Sequence, residues 1–165
     1  MSAETFWGGV AGNIAFEDRV RRRSNGLGVS TGASACRDAL QAFGAERISV
    51  LSPYQPIADQ HVSTFFAEAG FEVASVTGLR CPSATAIAKV TPEMLTPVVE
   101  SLDGPDVDAI VQVGTNLSFV HQAAQLEHEL GKPVLAINVA TLWHALRATG
   151  IDDQITGFGR ILAEH

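Results

Sequence analysis

The sequence is poor in cysteine, has no long hydrophobic run and has no excess of basic side chains. Two cysteines in 165 residues are too few for a disulfide framework, so a reducing, cytoplasmic setting is expected. No run of about 18 apolar residues could cross a bilayer as a helix, so no membrane partner is expected. Acidic side chains outnumber basic ones by 18 to 11, and the net charge of −7 disfavours nucleic acid as a partner.

The residues that usually bind metals are dispersed. Of the five histidines, only His121 and His128 are expected to share a helix, and seven residues separate them. That spacing is about two helical turns, too far for the adjacent-turn pairing of a zinc helix. The cysteines are also far apart, so no metal site is expected.

Between residues 46 and 150, short apolar runs alternate with segments of helical periodicity. Strands are predicted at 47–52, 71–76, 108–113 and 133–137, with helices between them. This alternation predicts an α/β fold in which a parallel four-stranded sheet has helices on both faces. Ligands bind such sheets beyond the carboxyl ends of the strands. The segments of interest are therefore 52–54, the loop around Cys81, 114–116, and the residues from Asn138 onward.

Residues 1–45 fit this alternation less well. A glycine-rich loop at 6–10 is followed by a predicted helix at 14–23, a short strand at 27–30 and a second helix. Ser30 or Ser34 is the expected cap of that second helix, which ends at Gly44. An α/β domain that opens on a loop and a helix is expected to continue from a preceding element.

The segment Gly114-Thr115-Asn116 follows a buried strand and precedes a predicted helix. Its backbone N–H groups and the Thr115 and Asn116 side chains would suit a carboxylate at the positive end of that helix. Equally, Asn116 could be only a helix cap and Gly114 only a turn residue. Tyr54 lies at the equivalent junction after the first strand, where its hydroxyl could donate to the same anion or simply pack.

The two cysteines have different expected surroundings. Cys36 is aligned with Leu40 and Phe43 at helical spacing, which predicts a core position. Cys81 lies in a loop at the functional edge of the sheet, just before Pro82, which makes it a candidate thiol, although Arg80 alone is too little to lower its pKa. The catalytic residue is therefore not identified from the sequence. His144 lies within a helix, where a partly buried structural histidine is expected.

Several motifs occur together in the chain. They are VLSPY at 50–54, GTNL at 114–117, EHELGKPV at 127–134, ATLWHALR at 140–147 and GFGRIL at 157–162. This combination resembles the aspartate/glutamate racemase superfamily, in particular the branch of arylmalonate decarboxylase and maleate cis-trans isomerase.

The resemblance implies a two-lobed protein with its active site in the cleft between two flavodoxin-like α/β lobes. It divides this chain into a first-lobe remnant at 1–45, a complete lobe at 46–150, and a C-terminal segment at 151–165 that returns toward the first lobe. It further implies proton transfer by a cysteine at the carbon next to a carboxylate, with no metal or organic cofactor. Backbone amides and small hydroxyls would stabilise the enediolate-like charge.

The resemblance also implies roles for individual residues. Tyr54, preceded by Ser52 and Pro53, matches the tyrosine that helps bind the substrate carboxylate, and Thr115 and Asn116 match the second carboxylate loop. Gly114 stands where this family is expected to have a catalytic cysteine. The first-lobe loop aligns with residues 1–5, so the chain is expected to be a piece of a longer protein or a reduced relative.

Two functions follow as expectations. The first is cofactor-independent isomerisation, racemisation or decarboxylation of a small carboxylic acid. The second, motivated by Gly114, is a non-catalytic carboxylate-binding or scaffold homologue. A flavodoxin-like module for a phosphorylated ligand is disfavoured, because there is neither a phosphate-type glycine loop nor an acidic cluster after the first strand. Self-association is left open.

Overall fold

The structure, a computed structural model that describes residues 2–165, is built on four parallel strands. They are β1 Arg47–Ser52, β2 Glu72–Gly78, β3 Ala109–Gln112 and β4 Val134–Ala136. The sheet order is β2-β1-β3-β4, and each neighbouring pair is parallel. The predicted α/β fold with a parallel four-stranded sheet is confirmed. Met1, where the predicted first-lobe remnant starts, lies outside the described residues.

Helices cover this sheet. A short 3-10 helix at Ser2–Phe6 precedes α1 Gly9–Arg23, α2 Gly32–Ala42, α3 Pro56–Glu68, α4 Ala84–Ile87, α5 Pro92–Leu102, α6 Val120–Leu130, α7 Ile137–Ala148 and α8 Arg160–Glu164. With right-handed crossovers, the strand order puts α3 on one face and α5 and α6 on the other. Among the described residues, no helix is long and apolar enough to span a bilayer.

The core is continuous from the amino-terminal segment into the sheet. Strands β1 and β3 are central, and their apolar side chains are fully buried because helices cover both faces. Phe6 of the 3-10 helix is fully buried and packs edge-on against Phe65 of α3, with ring centroids 5.2 Å apart. Cys36 is also fully buried, as its helical spacing predicts.

Three predictions for the amino-terminal segment are wrong. Residues 27–30 form no strand; this segment instead packs on α7, where the Ser30 hydroxyl donates to the Thr141 carbonyl at 3.4 Å. Helix α2 is capped by Thr31, and neither Ser30 nor Ser34 fills that role. The Thr31 hydroxyl oxygen accepts the Ser34 N–H at 3.2 Å and also accepts the Asn13 side-chain amide at 3.0 Å. In addition, α1 begins at Gly9, within the predicted glycine-rich loop.

The helix after β3 also starts later than the sequence predicts. Helix α6 begins at Val120 with Phe119 at its cap position, so Asn116 is not its N-cap. Leu117 and Phe119 are each 1% exposed. Burial of these two side chains draws the chain into the core first, and the Leu117 N–H closes a turn on the Gly114 carbonyl at 3.1 Å. The 114–116 loop is therefore separate from the helix end.

Candidate functional site

A cleft of about 460 Å³ lies at the carboxyl ends of three strands. Its walls are residues 53–55 after β1, residues 81–84 after β2 and residues 114–116 after β3, together with Ala3, Ala58 and Ile87. Carboxyl ends of parallel strands meet at one edge of the sheet, which explains why these distant segments converge. The structure thus brings Pro53, Tyr54, Cys81 and the Gly114-Thr115-Asn116 loop together.

Ser52 is the predicted site residue that does not line this cleft. It is fully buried, and its hydroxyl oxygen accepts the Tyr54 N–H at 3.0 Å. Ser52 therefore supports the loop that carries Tyr54.

Gly114 has a backbone conformation and surroundings that suit glycine alone. Its φ of +98° lies in the left-handed region, which disfavours L side chains. A Cβ atom built there would lie 2.5 Å from Pro53 Cγ, 2.7 Å from Pro53 Cδ and 3.5 Å from the Tyr54 hydroxyl oxygen. Position 114 therefore cannot hold a cysteine side chain unless Pro53 moves. The same distances place the Tyr54 hydroxyl beside the 114–116 loop.

The loops after β1 and β2 are tied to each other. The Cys81 N–H donates to the Pro53 carbonyl at 3.1 Å, and the Gln55 side chain donates to the Cys81 carbonyl at 3.1 Å. Arg80, at φ +56°, pairs with the carboxylate of Asp59 and also donates to the Tyr54 carbonyl at 3.3 Å. These contacts fix the wall that carries Cys81.

Cys81 is the thiol of this cleft. Burial raises the pKa of the Cys81 thiol, and the Arg80 charge is neutralised by its pairing with Asp59. At neutral pH the group is therefore a thiol, a proton donor, and only a small fraction is thiolate. Burial also raises the pKa of Cys36, which lies outside the cleft lining.

Sequence reasoning missed Gln112, which lies directly beneath the 114–116 loop. It is 1% exposed at the end of β3, and its amide nitrogen donates to the Val113 carbonyl at 2.6 Å and the Gly114 carbonyl at 2.9 Å. One amide in an otherwise apolar central strand was the available signal. Asn138, in a segment the sequence did single out, donates to the Thr115 carbonyl at 3.1 Å.

The cleft lining carries no ionised side chain among the described residues. An anion there would meet neutral donors, namely the Tyr54 hydroxyl, the Thr115 hydroxyl, the Asn116 amide and backbone N–H groups. Within residues 2–165, no group of three or more histidine, cysteine, aspartate or glutamate side chains could hold a metal ion.

His144 belongs to the packing between helices. Its Nδ1 lies 2.8 Å from the Ser30 hydroxyl, and its Nε2 lies 3.1 Å from an Asp38 carboxylate oxygen. Burial alone would raise the pKa of Asp38, but hydrogen bonds from His144 and Arg37 outweigh it and leave that pKa below its usual value. The arrangement links α2 to α7 and contributes nothing to the cleft lining.

A second cavity of about 460 Å³ lies between α6 and the C-terminal segment. Glu127, at its wall, accepts the Arg160 N–H at 2.7 Å and the Val134 N–H at 3.3 Å. Burial nevertheless raises the pKa of Glu127. The GFGR motif at 157–160 is thus held onto the lobe, away from the cleft at the strand ends.

Comparison with known protein families gives one match over nearly the whole chain. The family model described as arylmalonate decarboxylase matches residues 2–162. A maleate isomerase of Pseudomonas putida is 30% identical over 136 residues, which cover 82% of this chain and 54% of that protein. A maleate isomerase of Alcaligenes faecalis is 24% identical, with 89% of this chain and 58% of that protein covered. The chain therefore spans about half the length of the curated relatives it matches.

Solved structures share the fold. Nocardia farcinica maleate cis-trans isomerase bound to TRIS superposes with a TM-score of 0.94 at 23% identity, covering 99% of this chain and 68% of that chain. An arylmalonate decarboxylase superposes with a TM-score of 0.87 at 25% identity, covering 98% of this chain and 72% of that chain. A cysteine-to-serine mutant of the Nocardia enzyme holds a covalently bound succinylcysteine intermediate. It superposes with a TM-score of 0.91 at 23% identity, covering 99% of this chain and 69% of that chain.

Proposed function

The chain belongs to the arylmalonate decarboxylase family, and from that premise we propose that it binds a small carboxylic acid and acts on the carbon next to the carboxylate. The reaction is an isomerisation, racemisation or decarboxylation that uses no cofactor. The observation that carries this proposal is the convergence of Tyr54, Cys81 and the 114–116 loop on one cleft.

The first step is binding of the carboxylate by neutral donors. The Tyr54 hydroxyl lies beside the 114–116 loop, so one carboxylate can receive hydrogen bonds from the tyrosine, from Thr115 and from Asn116. Negative charge that develops on the same oxygens as an enediolate forms is stabilised by the same donors. Donors fixed in place before the reaction cost no reorganisation when that charge appears.

The second step is transfer of a proton to carbon, and Cys81 is the candidate donor. In a decarboxylation, the bond between the α-carbon and one carboxyl group breaks, CO₂ leaves, and the electron pair stays on the enediolate. The Cys81 thiol then gives its proton to the α-carbon, and the thiolate recovers a proton from water. A raised thiol pKa suits this role, because the group must hold its proton until the carbanion-like carbon forms.

Turnover by cysteine variants tests this proposal. Phenylmalonate decarboxylation is followed by CO₂ release and maleate isomerisation by fumarate formation, with wild-type chain, Cys81→Ala and Cys36→Ala. We expect Cys81→Ala to lower kcat at least about hundredfold, the usual scale of a lost general acid, while phenylacetate binding persists. Cys36→Ala is the matched control, because that thiol lies outside the cleft. Unchanged turnover by Cys81→Ala would contradict the assignment.

A second candidate function is carboxylate binding without turnover. The geometry at Gly114 favours it, since the position that the family resemblance assigns to a catalytic cysteine cannot hold one beside Pro53. Saturable binding of phenylmalonate or maleate by wild-type chain with no conversion of either would support this function over catalysis.

The setting and assembly of the protein remain proposals. Two unpaired cysteines support a reducing cytoplasmic location, and the acidic net charge supports partners other than nucleic acid. Exposed Trp7, Ile14 and Leu27 supply apolar surface on which copies of the chain could associate. The division into a first-lobe remnant at 1–45, a lobe at 46–150 and a returning segment at 151–165 stays a prediction.

A further inference from the structure

Gln112 is a buried polar side chain of the sheet to which the proposed mechanism gives no role. It lies at the end of β3, whose residues are all buried, in a position where an aliphatic side chain would ordinarily pack. Burying an amide is unfavourable unless its groups are hydrogen-bonded. The Gln112 amide nitrogen meets this requirement with two backbone carbonyls that lead into the cleft loop, those of Val113 and Gly114.

These two hydrogen bonds fix the direction of the next two backbone N–H groups. The described residues contain no cis peptide bond, and in a planar trans peptide the N–H points opposite to the carbonyl. Because the Val113 and Gly114 carbonyls both face the Gln112 nitrogen, the N–H groups of Gly114 and Thr115 face the opposite side. Gly114 and Thr115 line the cleft, whereas Gln112 is buried and does not line it, so the side opposite the Gln112 nitrogen is the cleft side.

The backbone at Gly114 allows two successive N–H groups to point the same way. Its φ of +98° is a left-handed backbone angle, which anion-binding concavities made by consecutive amides require. The Gly114 carbonyl also accepts the Leu117 N–H at 3.1 Å, and Asn138 holds the Thr115 carbonyl at 3.1 Å. The carbonyls of Val113, Gly114 and Thr115 are thereby all hydrogen-bonded within the protein.

We propose that Gln112 is a positioning residue of the carboxylate site. Its amide holds the Val113 and Gly114 carbonyls. The N–H groups of Gly114 and Thr115 are thereby directed to bind the substrate oxygen. This inference rests on the proposed function for the identity of the ligand. Gln112 itself touches no substrate. Its effect is on the binding of the carboxylate and on the stability of the enediolate charge that follows.

The test compares Gln112→Leu with a matched variant, Gln122→Leu. Gln122 is also buried, and its amide nitrogen also makes two hydrogen bonds, to the Pro92 carbonyl at 2.7 Å and the Thr96 hydroxyl at 2.9 Å, but it does not line the cleft. We expect both variants to lose stability, and only Gln112→Leu to raise the Kd for phenylacetate, by about tenfold to hundredfold, as for lost hydrogen bonds to a charged group.

Gln112→Glu separates positioning from packing if the leucine variant fails to fold. The ionised glutamate donates nothing to the two carbonyls, whereas the protonated acid donates one hydrogen bond. We therefore expect phenylacetate affinity of this variant, relative to wild type at the same pH, to improve as pH falls. A constant affinity ratio across pH would overturn the inference.

A measurement on the wild-type chain distinguishes this inference from the proposed function. In an amide NMR titration with phenylacetate, we expect the Gly114 and Thr115 N–H resonances to shift downfield and saturate. Two results would overturn the role of Gln112 and leave carboxylate binding intact. One is saturable binding that leaves both resonances unchanged. The other is saturable binding that Gln112→Leu and Gln122→Leu weaken equally. No saturable binding of phenylacetate or phenylmalonate overturns both.

Discussion

Replacing Gly114 by alanine should destabilise the protein through a defined clash. The new Cβ would lie 2.5 and 2.7 Å from two ring carbons of Pro53, inside the distance at which atoms must move. A left-handed backbone costs an L residue about 1–2 kcal/mol, and overpacking adds about 1–3 kcal/mol. We expect a loss of about 2–5 kcal/mol, which for a chain of this size lowers Tm by about 5–15 °C.

Two controls isolate the clash from the backbone strain. Gly70 has a φ of +97°, almost equal to that of Gly114, and a Cβ there would have nothing within 4 Å. Gly70→Ala should therefore show the backbone cost alone, about 1–2 kcal/mol. Pro53→Ala removes both clashing ring carbons, so the double variant Gly114→Ala/Pro53→Ala should recover about 1–3 kcal/mol relative to additivity.

Urea unfolding of the four variants and the wild type measures these free energies. Effects of Pro53→Ala on the unfolded chain cancel in the double-mutant cycle. Equal losses for Gly114→Ala and Gly70→Ala, with no coupling to Pro53, would refute the close approach of Pro53 to Gly114. That result would also reopen position 114 to a cysteine side chain.

Three further predictions concern other parts of the chain. In the native protein, Cys81 should react with a thiol reagent and be protected by phenylacetate, whereas Cys36 should react only on unfolding. Equal reaction rates of the two thiols would contradict the burial of Cys36. Thr31→Ala should cost about 1–2 kcal/mol in urea unfolding, because it removes the cap of α2, and a loss near zero would contradict that role. The lowered pKa of Asp38 stabilises the native state above about pH 3.8, and this stability is lost as pH falls through the lowered value. Asp38→Asn should therefore reduce the fall of the unfolding free energy at acid pH. The same fall in this variant as in the wild type would contradict the pairing of Asp38 with His144.

The sheet and its functional edge could be predicted because both depend on local patterns. Strands that are buried on both faces are continuous apolar runs, and the alternation with helices defines a parallel sheet. That alone predicted that Tyr54, Cys81 and the 114–116 loop would lie at one edge. The resemblance to a known family supplied the chemistry expected there.

The rest depends on contacts between residues distant in sequence. Asn116 has the residue type of a helix cap, but burial of Leu117 and Phe119 delays the helix to Val120. Nothing local to Gly114 reveals that the ring of Pro53 fills the space of its missing side chain.

Hydrogen-bond partners were equally hidden from the sequence. Thr31 is the cap because its hydroxyl oxygen accepts the Ser34 N–H, and both Thr31 and Ser34 also hydrogen-bond Asn13 of the preceding helix. Gln112 is a single polar residue in an apolar strand, and its role depends on the direction of the two backbone carbonyls that follow it. Such roles require coordinates, since the residue type fits many positions.

The central claim is that the cleft at the strand ends binds a small carboxylate through neutral donors. A crystal structure of the chain with bound phenylmalonate tests it most directly. The account predicts a carboxylate oxygen within hydrogen-bond distance of the Tyr54 hydroxyl and of the 114–116 loop, with the α-carbon facing Cys81. Phenylmalonate in the cavity beside Glu127 and Arg160, with the cleft empty, would contradict the account.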